Sequence, residues 1–488
     1  MSRFSHRKTN VMKNWIHYPP RLVPLLSLAA FTGCSSGLLD VGPEYQSPSI
    51  EAPASFQNSD ELAGAQELSP RWWDLFGDPS LSYLIETALA HNQDLAAAAH
   101  RVEQARALAG QARADLFPQL AIEAQAGRQQ SLQTGYQAGE YVRIPGMLSY
   151  EIDLWGGVRR GASAANATAD SAQRNYEAAR LSLSAQVAET VYLLRAARIE
   201  EGIVSATVDT RREARDVIAA QHQLGSAAEL DLVRAETELA IAEAERAAVA
   251  RQRSQLTNAL AILVGEAAPT FSLEILGSTL PTPPAVPGGM PAEVLQQRPD
   301  LAAAERALAA AADRIGVARA AFYPGIRLTA SGGWESDDLD AVFSGSRQIW
   351  AIGPQVYLPL FQGGRNRARL AGANAAFEEQ QALFRQTVLI ALAEVQDALT
   401  AGRLLSDQAA ANDRATVAAR RAAALSRTRY DAGYVGYLEV VDSERIALAA
   451  ERTQAQLQAQ RLAASIQLIK ALGGGWRPTK ADPTLARH

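Results

Sequence analysis

Side chains able to do chemistry are few and scattered in this 488-residue chain, with one exception. That exception is Cys34, the single cysteine, which directly follows Thr32-Gly33 and precedes Ser35-Ser36-Gly37. A thiol immediately behind a small-residue cleavage site is either a stray side chain at the end of an ordinary signal peptide or a residue placed there for modification. The six histidines, His6, His17, His91, His100, His222 and His488, form neither an HExxH helix motif nor a clustered metal-ligand spacing. No phosphate-cradling GxxxxGK[ST] occurs, and Gly363-Gly364-Arg365 reads better as a strand-to-helix turn. Asp337, Asp338 and Asp340 suit a solvated loop better than a divalent-ion site. The sequence therefore predicts no enzyme, no metal and no cofactor beyond a covalent lipid on Cys34.

The residues before Cys34 agree with that chemistry. Arg3, Arg7, Lys8, Lys13 and Arg21 precede an apolar run from Leu22 to Phe31, too short to span a bilayer, so residues 1–33 read as a targeting signal. The arrangement resembles a bacterial lipobox, which implies that Cys34 becomes the lipidated first residue of the processed chain; Phe31 and Pro24 depart from the usual pattern, and Ser35 resembles the outer-membrane sorting choice. Met12 offers an alternative start with a more compact signal. With no second cysteine there is no disulfide framework to consider. A net charge of −5 leaves no basic footprint for nucleic acid.

What positions everything else is a duplication. Asp94-Leu95, Phe117-Pro118 and Leu154-Trp155 return as Asp300-Leu301, Tyr323-Pro324 and Leu360-Phe361 at an offset of 206. Gly225, Leu230, Val233, Glu236, Glu243 and Gly265 return as Gly433, Leu438, Val441, Glu444, Glu451 and Gly473 at an offset of 208. Such a repeat implies one duplicated unit with pseudo-twofold symmetry. Its expected limits are an extended Pro-rich segment with Trp72-Trp73 over 34–79, a first repeat over 80–270, a Pro-rich linker over 271–291, a second repeat over 292–476 and a polar tail over 477–488.

Within each repeat the pattern predicts helix, β hairpin, long helix, turn and returning helix. Ser80 reads as an N-cap ahead of Leu81, Leu84, Ile85 and Leu89. Helix then resumes or continues from His91 to Leu116 and stops at Pro118. Leu148, Tyr150, Ile152 and Leu154 alternate with polar residues, and Pro354, Val356, Leu358 and Leu360 keep the same phase, with Trp155 and Phe361 closing the strands. Such strands fit a transmembrane barrel wall with an aromatic girdle, and alone they fit a soluble half-buried sheet equally well. The helices settle the choice. No proline interrupts Val158 to Gln221, and Ala165, Ala169, Ala172, Tyr176, Ala179 and Leu183 follow a coiled-coil spacing, so this segment makes a rod of roughly 95 Å. A second rod runs from Arg365 to about Tyr430, and returning helices end near Val264 and Leu472. The fold class is thus mainly α with a small β part. Four strands per chain cannot close a barrel, and open edges cannot sit in lipid, so several chains must share one; three chains give twelve strands.

At this point the chain resembles the TolC-like outer-membrane efflux factors, in their NodT-type lipoprotein branch. The resemblance is carried by Val41-Gly42-Pro43-Glu44-Tyr45, Trp72-Trp73 with Phe76-Gly77-Asp78-Pro79, Arg298-Pro299-Asp300-Leu301, and Phe322-Tyr323-Pro324. Leu360 to Arg365, and Arg429-Tyr430 through Gly433 to Asp442, complete it. It implies a homotrimer in the outer membrane of a Gram-negative bacterium, with a β-barrel in lipid and an α-helical tunnel across the periplasm. It also implies a periplasmic adaptor and an inner-membrane pump, commonly proton-driven, as partners in exporting small toxic compounds. Matched position by position, it places a periplasmic gate at Tyr430, Leu438, Asp442 and Arg445, with Leu230, Asp231 and Arg234 at the related tip of the first repeat. Adaptor contacts fall at Gly225 and Gly433. Physically, Leu438 can form an apolar ring, while Asp442 and Arg445, at i and i+3, can face a neighbour; a solvated helical face is the plainer alternative. A protein-secretion exit duct shares the fold, and a structural coiled-coil lipoprotein remains a third reading.

Overall fold

The computed structural model describes residues 39–49, 53, 55–57, 68–130, 138–272, 280–286, 296–337, 340, 343 and 347–477. Cys34, Asp338 and much of the 271–291 linker lie outside them. The described residues form α1 (Pro79–His91), α2 (Gln93–Ala114), β1 (Gln119–Ile122), β2 (Gln125–Gln130), β3 (Ala138–Ile152), α3 (Gly157–Gln223) and α4 (Glu229–Val264) in the first repeat. The second repeat gives α5 (Pro299–Ala320), β4 (Gly325–Ser336), β5 (Gln348–Tyr357), α6 (Arg365–Asp431) and α7 (Tyr437–Ala471).

The two long helices are the 67-residue rods α3 and α6, each roughly 100 Å long. Both start at a left-handed glycine, Gly156 (φ 78°) and Gly364 (φ 86°), so the two residues that separate the repeats are Gln362-Gly363 in this turn. On the sheet side the helices lie in the order α2, α3, α5, α6; on the other side α4 packs on α3, α3 on α7, and α7 on α6. Because α3 has neighbours on both flanks, it carries two small-residue seams. Ala167 meets Ala309 and Ala310, and Ser171 Oγ donates to the Ala303 carbonyl at 2.9 Å, beside the heptad row expected from the sequence.

The sheet runs β1/β2, β3, β4, β5, all antiparallel. β1 and β2 hold one register against β3 (Gln119 opposite Ser149, Gln125 opposite Arg143) and are two pieces of a single strand interrupted opposite Pro145, which has no N–H to give. Trp155 and Phe361, expected to end the strands, lie beyond them, as do Leu154, Leu358 and Leu360. Instead, Trp155 stacks on Tyr323 at 4.7 Å and donates its indole N–H to the Pro324 carbonyl at 2.8 Å.

Two helix boundaries differ from expectation. Asp78, not Ser80, caps α1: its carboxylate accepts from the Ser80 and Leu81 amides at 3.1 and 3.2 Å, and Pro79 occupies the first helical position. Asn92 then divides the segment into α1 and α2. Its side chain accepts from the Leu95 amide at 2.9 Å and donates to the Leu263 carbonyl at 3.0 Å, so it starts α2 and ties it to α4.

The main core sits midway along the rods. Trp72, Trp73 and Phe76, in a short 3-10 turn, pack edge-on with centroids 5.8 and 6.1 Å apart, against α1, the centre of α3 and the ends of α4 and α7. Each such fully buried side chain contributes about 1.5–3 kcal/mol. Between Trp72 and Trp73 and the sheet, an extended strap follows the rods: Tyr45 donates to Glu305 Oε1 at 2.8 Å, and Arg160 on α3 holds Asp40 at 2.7 Å and the Pro43 carbonyl at 2.9 Å while pairing with Asp313 on α5 at 3.1 Å.

Candidate functional site

The sheet presents two unlike faces. Residues directly opposite one another give the rows Leu120, Leu148, Ala330 and Ile352; Tyr150, Leu328 and Pro354; and Ile152, Ile326 and Val356. These apolar rows are solvent-exposed in the single chain: Leu120, Ile122, Trp350 and Ile352 keep 67–78% of their surface. An apolar face left so open is not the half-buried sheet of a soluble fold. The opposite face carries Gln119, Ser149 and Thr329 and cross-strand ion pairs, Arg143 with Glu335 at 2.9 Å and Arg327 with Glu151 at 3.6 Å. From Ile326 to Trp334 the apolar band spans eight residue steps of β4, about 27 Å, the height of a barrel's lipid-facing belt. Both outer strands, β1/β2 and β5, leave one edge unpaired among the described residues.

At the far end of the rods the two helix turns are copies of each other. Gly225 and Gly433 both take φ 73°, and the amides two and three residues beyond each rod reach back to its last turn: Gly225 to the His222 carbonyl and Ser226 to Gln221, Gly433 to Tyr430 and Tyr434 to Arg429, at 2.8–2.9 Å. This is the glycine-dependent helix stop that satisfies orphan carbonyls. Nothing lies within 4 Å of a Cβ built on either glycine, so both tips face open space.

The expected gate residues cluster here. Tyr430 lies 5.8 Å from Tyr437 over a small core of Ala214, Ile218, Ala235, Val440 and Val441. Burial, and then the charge of Asp231, raises the Tyr430 phenol above its usual range, so a residue of each repeat meets at this point. Leu230 and Leu438 are exposed, and Asp231 faces Arg234 at 3.7 Å. Asp442 and Arg445 do not act as one pair. Asp442 is exposed, whereas Arg445 crosses to Glu238 on α4, with Nη2 2.6 Å from its carboxylate.

Glu238 is one of four groups that sequence reasoning missed. Arg211 on α3 is 3% exposed, pairs with Glu444 on α7 at 2.8 Å and lies 3.9 Å from Glu238; Arg427 on α6 approaches Glu444 at 3.9 Å. Glu444 was visible only as a repeat landmark, and nothing local marks the others. A second buried pair, Arg195 with Asp78 at 2.6 Å, fastens the cap of α1 to the centre of α3. Although burial pushes the Asp78 carboxyl up, its hydrogen bonds from Arg195 and Ser80 outweigh this and hold it below the usual carboxylate range.

Among the described residues no cluster of metal-ligating side chains occurs, and no helix is long and apolar enough to cross a membrane. Asp337 of the acidic loop pairs with Arg347 at 2.6 Å. A sheet with one lipid-compatible face, carried on paired rods of this length, is the arrangement that the comparisons with known proteins identify. The outer membrane efflux protein family model matches residues 84–266 and 290–474, one match for each repeat. The chain belongs to that family.

Within this efflux family the chain is 31% identical over 478 residues to the solvent efflux pump outer membrane protein SrpC of Pseudomonas putida, covering 93% of this chain and 98% of SrpC. It is 31% identical over 465 residues to the cation efflux system protein CusC of Escherichia coli O6:H1, covering 94% and 99%. The outer-membrane channel OprN superposes with a TM-score of 0.84 at 30% identity, covering 90% of this chain and all of OprN. The protein is accordingly an outer-membrane efflux channel component with the duplicated, mainly helical fold of that family.

Proposed function

We propose that three copies of this chain close a twelve-stranded barrel and a helical tunnel, through which small toxic compounds leave after a pump and an adaptor deliver them. The observation that carries this reading is the exposed apolar sheet face bounded by two unpaired strand edges. Strand edges cannot remain open in lipid, so β5 of one copy pairs with β1/β2 of the next. The polar sheet face then lines water, and the helix tips point into the periplasm. There the open space at Gly225 and Gly433 receives a periplasmic adaptor, which couples the duct to an inner-membrane, proton-driven pump. The names of SrpC and CusC pair this kind of subunit with solvents in one case and cations in the other, so the cargo is selected by the pump.

Lipidation of Cys34 fits the path of the strap. Asp40 is fixed on the first turn of α3, next to the base of the sheet, and the five residue steps from Cys34 to Leu39 reach at most about 17 Å. Acyl chains on Cys34 would therefore enter the periplasmic leaflet beside the barrel. Tyr430, Leu438, Asp442 and Arg445, with Leu230, Asp231 and Arg234, narrow the periplasmic end at rest. The limits of signal, strap, repeats, linker and tail stay as the sequence sets them.

Native mass and planar-bilayer conductance of the detergent-purified protein test the reading together. It expects three 52.2 kDa chains less their signals, plus lipid mass on the N-terminal peptide, and small, rare openings. A monomer, or a trimer that inserts without conducting, refutes the channel; a free thiol on Cys34 refutes the anchor alone.

A further inference from the structure

The contact that the chain makes between its own halves is a template for the contact between copies. β5 follows β3, β4 follows β1/β2 and α5 follows α2 at an offset of 206, while α6 follows α3 at 208. Within the chain β3 and α3 lie against β4 and α5. The corresponding surfaces, β5 with α6 and β1/β2 with α2, are the two open flanks, and each fits the other on a second copy of this chain. Transferred residue by residue, Gly146 opposite Gly332 becomes Ile352 opposite the next copy's Ala126, and Tyr150 opposite Leu328 becomes Val356 opposite its Ile122. The apolar belt then continues across the seam.

Registers that keep the two faces aligned differ by steps of two residues, and two observations select this one. The first is the pair of prolines in the described strands, Pro145 and Pro354. The Glu123 amide donates to the Pro145 carbonyl at 3.0 Å, so even-numbered residues of β1/β2 turn their backbone groups to the open edge. The same alternation, carried across β3 and β4, turns the even-numbered residues of β5 to the opposite open edge, Pro354 among them. In the transferred register Pro354 faces the next copy's Ala124, in the gap between β1 and β2 that already faces Pro145. A shift of two residues either way would set Pro354 against Ile122 or Ala126 and leave a strand carbonyl without a donor in lipid. The second observation is charge. A Cβ on Gly157, the first residue of α3, would meet the Ala320 Cβ at 3.0 Å, with Ala321 the next residue. Transferred, this contact sets Arg365 against Ala114 and Asp115 of the next copy, and α6 stands a few tenths of an ångström further out. Both charged residues are exposed, and neither forms an ion pair within the chain among the described residues. We propose that neighbouring copies join in this register, the β1/β2 gap lying between two prolines and Arg365 of one copy pairing with Asp115 of the next. This rests on the shared-barrel reading above and fixes how its chains meet.

The test is cysteine cross-linking of the full-length protein in outer membranes, on the water-lined sheet face, where Met147 opposite Ser331 becomes Gly353 opposite the next copy's Gln125. Gln125→Cys is combined in turn with Ala351→Cys, Gly353→Cys and Gln355→Cys. Directly opposite residues have Cα atoms about 4.5–5.5 Å apart, and those two residues out of step about 8 Å, beyond the reach of about 7 Å for a disulfide. The pair with Gly353→Cys should therefore link copies at least about tenfold faster than the other two, giving covalent trimer on a denaturing gel, while Gln125→Cys alone gives none. Faster linking through Ala351→Cys or Gln355→Cys overturns the register and leaves the trimer. No linking by any pair in a protein whose native mass is three chains overturns the seam; a monomeric mass refutes the shared barrel itself. Should the Gly353→Cys pair fail to assemble, Gln355→Cys with Glu123→Cys reads the same register and must link. Arg365→Ala and Asp115→Ala should each lower the yield of heat-resistant trimer, and together by less than the product of their effects; effects that multiply overturn the ion pair.

Discussion

Replacing Arg445 by alanine isolates the contact between the two repeats at the tips. Glu238, with its side chain 10% exposed, would keep only Arg211 at 3.9 Å as a cation. Stripping the partner from a fully buried charge costs about 3–5 kcal/mol. Arg445 is itself half-exposed, which screens its attraction, and Arg211 retains part of the field, so about 1 kcal/mol per chain is the reasonable figure. If three tips move together the terms add to about 3 kcal/mol, or roughly two decades in the ratio of open to closed channels. Single-channel recording reads that ratio directly. Salt supplies a control: raising ionic strength from about 0.1 to 1 M shortens the screening length from about 10 to 3 Å. Wild-type opening should therefore increase with salt, while the variant, already lacking the pair, should respond less. Arg445→Lys, which keeps a cation opposite Glu238, should stay closer to wild type than Arg445→Ala. An Arg445→Ala trimer that opens within about threefold of wild type, or an Arg445→Lys trimer that opens as far as Arg445→Ala, would refute this role of the pair.

Three other outcomes follow from the geometry. Asp78→Asn should destabilise the fold at pH 7 by about 1–3 kcal/mol, read as a lower temperature of heat-induced unfolding, through loss of the Arg195 pair and a weaker cap. Because the Asp78 carboxyl is held below its unfolded value, its contribution is present above about pH 4 and fades as the pH falls through the lower folded value; melts of wild type and variant should converge only in acid. Ile352→Arg, on the apolar face, should cost about 2–4 kcal/mol and reduce heat-resistant trimer in membranes, whereas Ser331→Arg on the polar face should assemble and alter conductance. Gly433→Val must adopt φ 73° with a branched side chain, at about 1–2 kcal/mol, yet meets no neighbour; trimers should persist on native gels while export in a drug-sensitivity assay is lost.

How much of this was legible in the sequence depended on range. The rods read from Val158 to Gln221 and from Arg365 to about Tyr430 are the helices 157–223 and 365–431, because uninterrupted periodicity and flanking glycines are local signals. Strand alternation gave the two faces correctly, since period two fixes a face whatever lies opposite. Asp78 was missed as a cap because Ser80, two residues on, has the same preference; in the fold the Ser80 hydroxyl itself donates to Asp78. Arg445 with Glu238, Arg160 with Asp40 and Asp313, and Arg195 with Asp78 join residues 117 to 207 positions apart. A charge on a solvated helix face and one buried against a distant helix look alike in sequence, and only packing separates them.

That separation falls unevenly on the two repeats. On α3 the charged residues Arg160, Arg195, Glu200 and Arg211 are largely buried, and they reach the strap, the cap of α1, α4, α5 and α7. The matching positions on α6 are Ala368, Arg403, Gln408 and Ala419, and the two polar ones are exposed. In the periplasmic half, the ion pairs of α6 run to its own partner α7, Arg420 to Glu451 and Arg427 to Glu444. In the periplasmic half α3 is thus joined by ion pairs to both α4 and α7, whereas the ion pairs that α6 makes to other helices there run to α7. Duplication supplied two equivalent rods; the placement of buried charge made the first the one with which the strap, α1, α4, α5 and α7 all pair.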